Sequence, residues 1–192
     1  MIILASRSAS RRSMLAAAGV DFEVRPAAID ERSLEAELGA AGPSAVALAL
    51  AEAKALSVEG GGSPVLGSDS VVSVEGVRFD KPVSRAHAAD HLRFFSGKEM
   101  RLESAAAIAL GGHLMWGHVE RATLNVRELS EDFIERYLTA EWPEVSQCVG
   151  VFRMEAQGPQ LFDSIKGDMF TVLGMPLLPV LAALRVLEEL PA

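Results

Sequence analysis

Cysteine is nearly absent from this chain of 192 residues, which contains a single one, Cys148. No disulfide can therefore form within the chain, a composition typical of proteins from a reducing compartment. No histidine lies near Cys148 in the sequence, and an isolated cysteine is more often a small buried hydrophobic residue than a catalytic nucleophile. We therefore expect Cys148 to be structural rather than reactive.

Long apolar runs and an excess of positive charge are also lacking. The most apolar late segment, residues 172–184, is short and contains Pro176 and Pro179, so it is not expected to span a membrane. The first residues show no charged stretch before an apolar one, which argues against a signal peptide and predicts a cytoplasmic location. The net charge of −8 disfavours binding to nucleic acid or to an anionic membrane surface.

The rest of the composition is that of a globular protein. Hydrophobic residues make up 49% and charged residues 23% of the chain, which argues against disorder, and the length predicts a single domain over residues 1–192. Strand patterns are found at residues 2–5, 22–24, 65–74, 101–110 and 113–128, the last two joined by a hairpin at Gly111-Gly112.

Helix patterns alternate with these strands. Helices are predicted after Ser8 or Ser10, from Pro43 through Leu56, after Ser84, after Ser130 and over residues 177–190. Residues 29–31 are expected to form a loop, and residues 145–154 an irregular segment or a short strand. Mixed strands and helices of this kind predict an α/β or α+β sheet protein.

A serine- and arginine-rich segment, residues 6–12, directly follows the first strand pattern and opens the first helix. Hydroxyls, free backbone N–H groups and a guanidinium at a helix start are the donors that phosphate oxygens accept from. The segment has a second interpretation, a solvated helix start, and Arg7 in particular is expected to be exposed.

Asp69 is the most informative residue, because it lies in a strand pattern with apolar flanks at Leu66 and Val71. A carboxylate in such surroundings is costly unless it is paired, hydrogen-bonded or bound to a cation. A general base or a metal-holding acid is therefore favoured over an acid that caps a turn. A phosphatase of the haloacid-dehalogenase type would need a second aspartate at position 71, which is valine.

Other polar residues are ambiguous when taken alone. Glu31 could join Asp69 around a divalent cation, and Lys54 and Lys81 could neutralise charge on a leaving group, but each is as readily a solvated surface residue. His87 and His91 have helical spacing for zinc, yet Ala88 stands where the zincin pattern requires glutamate, and no third ligand is evident.

Taken in order along the chain, short motifs resemble the Maf family of septum-formation-like nucleoside triphosphate pyrophosphatases. They are found at residues 4–12, 29–31, 51–55, 67–69, 81–82, 96–98 and 174–177. The resemblance covers essentially the whole chain. It implies an elongated Maf/ITPase-like α/β fold with a central mixed β-sheet and a substrate cleft between two lobes.

The same resemblance implies a cytoplasmic hydrolase that converts a nucleoside triphosphate to the monophosphate and pyrophosphate, often as a homodimer, with a divalent metal cation, Mg²⁺ or Mn²⁺, as cofactor. Asp69 matches the presumed catalytic acid and, with Glu31, the metal ligands. The resemblance further assigns polar catalytic positions to Glu31, Lys54 and Lys81, and the phosphate-binding turn to Ser6, Ser8 and Arg11.

Ser10, Ser70 and Glu155 match the positions that select the substrate. Glu155 resembles the branch that prefers 7-methyl-GTP, whereas that branch typically has a bulky aromatic residue at position 10 and glutamine at position 70. The alternatives are a dTTP/UTP-type pyrophosphatase, which carries glutamine in place of Glu155, a phosphomonoesterase, and a nucleotide-binding regulator without turnover.

Overall fold

The computed structural model describes residues 1–191 of the chain and consists of seven strands, seven α-helices and two short 3₁₀ helices within that range. Their bounds are β1 Ile2–Leu4, α1 Ala9–Ala17, β2 Phe22–Val24, α2 Glu31–Leu38, α3 Pro43–Leu56, β3 Val65–Val74, β4 Val77–Phe79, α4 Arg85–Phe95, β5 Glu99–Leu110, β6 His113–Val126, α5 Glu131–Glu141, β7 Phe162–Lys166, α6 Met169–Val172 and α7 Leu177–Val186. The 3₁₀ helices are Glu144–Gln147 and Gly158–Leu161.

The seven strands form one mixed sheet in the order β2-β1-β3-β5-β6-β7, with β4 paired to β3. β1 runs parallel to both β2 and β3, whereas β3–β4 and β6–β7 are antiparallel. Gly111 and Gly112 connect the neighbouring strands β5 and β6 with positive φ angles of 59° and 81°, which suits a two-residue hairpin turn. The predicted α/β class, the central mixed sheet and the hairpin are confirmed.

Three of the predicted helices begin with a serine side-chain cap, and a fourth begins with a proline. The hydroxyls of Ser8, Ser84 and Ser130 accept hydrogen bonds from backbone N–H groups at the starts of α1, α4 and α5. Pro43 occupies the first turn of α3, where its missing N–H group has no consequence.

The loop predicted at residues 29–31 is wrong at its end, because Glu31 begins helix α2. Asp30 caps this helix, since its carboxylate accepts from the Ser33 amide at 3.1 Å and from the Ser33 hydroxyl at 2.8 Å. None of the residues of α2 is fully buried, so the apolar periodicity that identifies a helix is weak there. The short elements β4, β7 and α6 were not predicted either.

The chain divides into two compact units, and neither is a continuous segment. The first unit comprises residues 1–70, 103–120 and 168–192, and the second comprises residues 71–102 and 121–167. The prediction of a single domain is not tested by this division. No helix of residues 1–191 is both long enough and apolar enough to cross a membrane.

A buried apolar core holds the first unit together. It joins Leu4 and Leu66 of the sheet to Leu15 of α1 and to Val180 and Leu184 of α7, all of which are nearly inaccessible to solvent. Burial of such side chains stabilises each by about 1.5–3 kcal/mol. This core anchors the elements that carry most of the polar residues described next.

Candidate functional site

Asp69 lies on β3 at a point where helix α3 packs directly against the strand. The close approach requires glycine at position 67, since a Cβ atom there would lie only 2.1 Å from the carbonyl oxygen of Ala51 and 2.5 Å from the amide nitrogen of Ala55. The last turn of α3 therefore comes within reach of the strand, and Lys54 on that turn contacts Asp69.

Lys54 joins the two predicted metal ligands. Its Nζ atom contacts Oδ1 of Asp69 and lies 2.9 Å from Oε1 of Glu31 at the start of α2. The side chains of Lys54 and Asp69 are only 11% and 13% exposed, whereas that of Glu31 is 51% exposed. Little solvent reaches the Lys54–Asp69 pair, so its attraction is screened less than that of a surface ion pair.

The acid pair fits a divalent cation of the kind that binds together with phosphate. Oxygen atoms of Glu31 and Asp69 approach the same ammonium nitrogen, so both carboxylates already face one small cationic group. Mg²⁺ is commonly held by one or two carboxylates, with phosphate oxygens and water as its remaining ligands. Residues 1–191 contain no group of three or more histidine, cysteine or acidic side chains that could hold a metal by themselves.

The turn before α1 is shaped by its serine hydroxyls. Ser6 Oγ accepts from the Ser8 amide at 3.2 Å and from Arg11 Nη1 at 3.4 Å, while Ser8 Oγ accepts from the Arg11 amide at 3.4 Å. Ser6 is buried and Ser8 partly so, whereas Arg7 is exposed as expected. Both serines thus order the predicted phosphate-binding turn and hold Arg11 against it.

Arg11 is the cation of this turn that the fold draws inward. Its Nε donates to the carbonyl oxygen of Gly174 at 2.9 Å, and its Nη2 donates to Ser70 Oγ at 3.2 Å. Burial lowers the pKa of the Arg11 guanidinium, while the negative charges of Asp69 and Glu31 act to raise it. Arg11 therefore interacts electrostatically with both acids.

Ser10 and Ser70 are tied to the segment between α6 and α7. Ser10 Oγ donates to the Leu173 carbonyl at 2.9 Å, and Ser70 Oγ lies 3.1 Å from the Gly174 carbonyl oxygen. Sequence reasoning did not identify these two carbonyl groups as site components. The family motif at residues 174–177 includes Gly174 but not Leu173, and it does not mark a backbone carbonyl as an acceptor.

Lys81 and Glu155 belong to the second unit, and both are exposed. Oε1 of Glu155 lies 3.9 Å from Nε of Arg153, and Nη1 of Arg153 lies 3.7 Å from Oε2 of the buried Glu141. The catalytic role of Lys81 and the substrate-selecting role of Glu155 stay predictions, as do the roles of the residues in the first unit.

The structure also shows the surroundings of Cys148, His87 and His91, for which the sequence favoured no functional role. Burial raises the pKa of the Cys148 thiol to about 11, so the thiolate needed of a nucleophile is scarce at neutral pH. The Nε2 atoms of His87 and His91 lie 2.9 Å apart, and the two rings hydrogen-bond to each other. The first observation does not support a cysteine nucleophile, and the second does not support a zinc site.

Comparison with known proteins gives matches over nearly the full length. The family model described as Maf-like protein matches residues 1–187. A protein of Rhizobium meliloti named 7-methyl-GTP pyrophosphatase is 45% identical over 196 aligned positions, covering 100% of this chain and 98% of the relative. A protein of the same name from Rhizobium etli is 46% identical, covering 97% and 96% of the two chains. A nucleoside triphosphate pyrophosphatase of Nitrobacter hamburgensis is 43% identical, covering 96% and 92%.

Proposed function

The chain belongs to the Maf family, and from this premise we propose that it hydrolyses a nucleoside triphosphate to the monophosphate and pyrophosphate. The observation that carries the proposal is the contact of Lys54 with both Glu31 and Asp69, in the same unit as the Arg11 turn. The relatives named as pyrophosphatases for 7-methyl-GTP and for nucleoside triphosphates support it.

Asp69 is the general base of the proposed reaction. Its carboxylate accepts a proton from a water molecule, whose oxygen forms a bond to the α-phosphorus. The bond between the α-phosphorus and the oxygen that bridges to the β-phosphorus breaks, and pyrophosphate leaves with the electron pair. Lys54 contacts Asp69 through its ammonium group and so helps to hold the carboxylate in place on the strand.

Positive groups of the first unit stabilise the charge on the phosphates. Arg11 offers N–H donors whose planar arrangement matches phosphate oxygens, and Lys54 adds a compact positive charge. Such groups are most effective when the fold holds them in place before substrate binds. The hydrogen bonds of Arg11 to Ser6, Ser70 and the Gly174 carbonyl provide this order.

We further propose that Glu31 and Asp69 hold a divalent cation, Mg²⁺ or Mn²⁺. When bound, such a cation neutralises charge on phosphate oxygens and so favours attack at phosphorus. The hard carboxylate oxygens of this pair suit either ion.

We propose 7-methyl-GTP as the preferred substrate. The relatives from both Rhizobium species carry this activity in their names, and Glu155 provides an exposed carboxylate that can accept hydrogen bonds from a guanine edge. The 7-methylated base is cationic, so an acid attracts it more strongly than an unmodified base. Ser10 and Ser70 depart from the residues typical of that branch, and their effect on base choice is part of the proposal to be tested. The homodimer and the cytoplasmic location stay predictions.

The test measures pyrophosphate and phosphate release separately over a panel of canonical and 7-methylated nucleoside triphosphates with Mg²⁺ or Mn²⁺. We expect pyrophosphate as the product, and we expect Asp69→Asn to lower its release by about 10²–10⁴-fold because a general base is lost. The thermal midpoint of the variant should stay close to that of the wild type.

Asp163→Asn is the matched control, because Asp163 is an exposed acid on β7 in the second unit. It should retain wild-type turnover. Full activity of Asp69→Asn would overturn the mechanism. Release of phosphate alone would identify a phosphomonoesterase, and nucleotide binding without either product would identify a regulator.

A further inference from the structure

A chain of hydrogen bonds leads from Arg11 into the interior of the first unit. Arg11 Nη2 donates to Ser70 Oγ at 3.2 Å, and the hydroxyl oxygens of Ser70 and Ser104 lie 2.9 Å apart. Ser104 Oγ donates to the carbonyl oxygen of Thr171 at 2.8 Å. A serine hydroxyl has one proton, so Ser104 gives its proton to Thr171 and is an acceptor for Ser70.

Ser104 is a buried polar residue beside apolar neighbours on the same strand. It lies on β5, is fully buried, and is followed by three consecutive buried alanines at residues 105–107. A buried hydroxyl is costly unless it is hydrogen-bonded, and this one has partners on two sides. Because no part of Ser104 is accessible, it cannot touch a substrate, and its influence on the site must pass through Ser70.

The Gly174 carbonyl holds the other side of the guanidinium. It accepts from Arg11 Nε at 2.9 Å and lies 3.1 Å from the Ser70 hydroxyl. Gly174 has φ of +104°, a conformation that residues with a side chain rarely adopt, and a Cβ atom there would lie 3.4 Å from Ser70 Oγ. The backbone at Gly174 thus places one carbonyl group within reach of both Arg11 and Ser70.

These bonds determine which part of Arg11 remains for a ligand. Nε, Nη1 and Nη2 each donate one hydrogen bond within the protein, to Gly174, Ser6 and Ser70. A guanidinium has five N–H groups, which leaves two, one on each terminal nitrogen. A pair of N–H groups on the two terminal nitrogens is suited to binding two oxygens of one phosphate group.

We propose that Ser104 is a positioning residue that, through Ser70, holds Arg11 in the orientation that binds the phosphates of the substrate. The inference rests on the proposed function, in which Arg11 is a phosphate-binding residue. Loss of the Ser104 hydroxyl removes an acceptor for Ser70, so the Ser70 proton turns toward the Gly174 carbonyl. The lone pair of Ser70 Oγ that accepts from Arg11 then turns away from its present direction.

The first measurement is the affinity for phosphates in Ser104→Ala. We expect KM for the nucleoside triphosphate to rise about tenfold, the loss typical of one hydrogen bond to a charged group, while kcat changes less than twofold. The dissociation constant of inorganic tripolyphosphate with Mg²⁺, measured by titration calorimetry, should rise by the same factor. This probe has no base and undergoes no reaction step that depends on Asp69.

A double-mutant cycle with Arg11→Ala separates positioning from a general structural effect. If Ser104 acts through Arg11, Ser104→Ala should have no further effect on tripolyphosphate affinity once Arg11 is absent. Thr171→Val is the matched control, because it removes another fully buried hydroxyl, which donates to Glu120 at 2.8 Å, and leaves the Thr171 carbonyl in place. It should leave tripolyphosphate affinity unchanged.

Ser104→Cys provides a second variant of nearly the same volume if Ser104→Ala does not fold. A thiol is a weak acceptor, so an intermediate loss of affinity is expected. Unchanged affinity in both variants, an equal loss in the Arg11→Ala background, or no binding of tripolyphosphate to the wild type would each overturn the inference. A wild-type protein that binds tripolyphosphate through the Ser104–Arg11 pair but releases no pyrophosphate would instead overturn the proposed function.

Discussion

Lys54 offsets the repulsion between two neighbouring carboxylates, those of Glu31 and Asp69. Asp69 on the strand and Glu31 at the start of α2 approach each other, and two carboxylates brought together repel unless a positive group lies between them. Lys54 provides this group, and its long apolar stem lets it remain mostly buried while its ammonium reaches both acids. Lysine side chains are solvated in most proteins, whereas Lys54 is mostly buried and links two acids of the candidate site.

His91 is a buried titratable residue whose effect on the pH dependence of stability can be measured directly. His87 Nδ1 accepts from the Val83 amide at 3.3 Å, so the proton of a neutral His87 is on Nε2, which donates to Nε2 of His91. The proton of His91 is then on Nδ1, for which residues 1–191 provide no hydrogen-bond partner. Burial lowers the pKa of His91 and His87 adds to this, against smaller opposite effects of Asp80 and Asp90.

We predict that this histidine makes the protein less stable in mild acid. The pKa in the folded protein lies below the value of 6.5 for the unfolded chain, so below pH 6.5 the unfolded state binds the proton first. The free energy of unfolding should fall as the pH decreases from 6.5 toward the folded pKa, by at most about 1.4 kcal/mol per pH unit for one proton. Chemical denaturation at several pH values measures this slope.

The matched comparison is His91→Leu, which should flatten the slope between pH 7 and pH 5 relative to the wild type. His113→Gln removes an exposed histidine and should leave the slope as it is. An unchanged slope in His91→Leu would contradict the prediction.

At the scale of elements, the site depends on the contact between α3 and β3. The helix supplies Lys54, the strand supplies Asp69 and Ser70, and Gly67 removes the side chain that would keep the two elements apart. A helix can approach a strand this closely only where one of them lacks a Cβ atom. The geometry of the candidate site is therefore a consequence of how two elements pack rather than of either element alone.

Gly67→Ala should disturb both stability and function. The added methyl group would meet backbone atoms of α3, which cannot rotate away as a side chain can, so the helix must shift. We expect the free energy of unfolding to fall by about 1–3 kcal/mol, as in other overpacked interiors, and pyrophosphate release to fall because Lys54 moves away from Asp69. Urea denaturation and steady-state kinetics measure the two effects.

Gly117→Ala provides the control for that substitution. A Cβ atom at position 117 would also face α3, but its nearest neighbours are the side-chain tips of Leu48 at 3.2 Å and Glu52 at 3.4 Å, which can adjust. A loss of stability equal to that of Gly67→Ala would show that the backbone contact at position 67 is not the cause.

At the scale of the whole molecule, the net negative charge disfavours binding of any polyanion except close to local positive groups. The net charge of −8 opposes binding of a triphosphate at long range, so attraction must come from nearby cations such as Arg11 and Lys54. The protein therefore attracts phosphate groups only near these cations, while the rest of its surface repels them. Nucleic acids, which bind to broad basic surfaces, gain no comparable attraction.

We predict that the protein does not bind double-stranded DNA or single-stranded RNA. Non-specific binding by nucleic-acid proteins has dissociation constants of about 10⁻⁴–10⁻⁶ M, and we expect weaker binding than this even at low salt. Fluorescence anisotropy of labelled duplex and single strands measures it, with a basic DNA-binding protein as the positive control. Saturable binding at micromolar protein concentration would contradict the charge argument.

The sequence predicted most elements and brought forward several candidate site residues, for reasons specific to each. The starts of α1, α3, α4 and α5 are encoded by residues within one turn, namely Ser8, Pro43, Ser84 and Ser130, and such local signals need no knowledge of the fold. Asp69 was identified because an acid among apolar strand residues is costly wherever the strand lies. Helix α2 was missed because it buries no residue fully.

The sequence by itself determined where strands and helices begin, which residues are polar in apolar surroundings, and which family pattern they follow. Only the tertiary structure decided which of these residues contact one another. Lys54 reaches Asp69 because α3 packs on β3, and Arg11 bonds to a carbonyl 163 positions away. A backbone carbonyl is the same in every residue, so no sequence pattern marks Leu173 and Gly174 as acceptors, and only the folding of the chain brings them to Ser10 and Arg11.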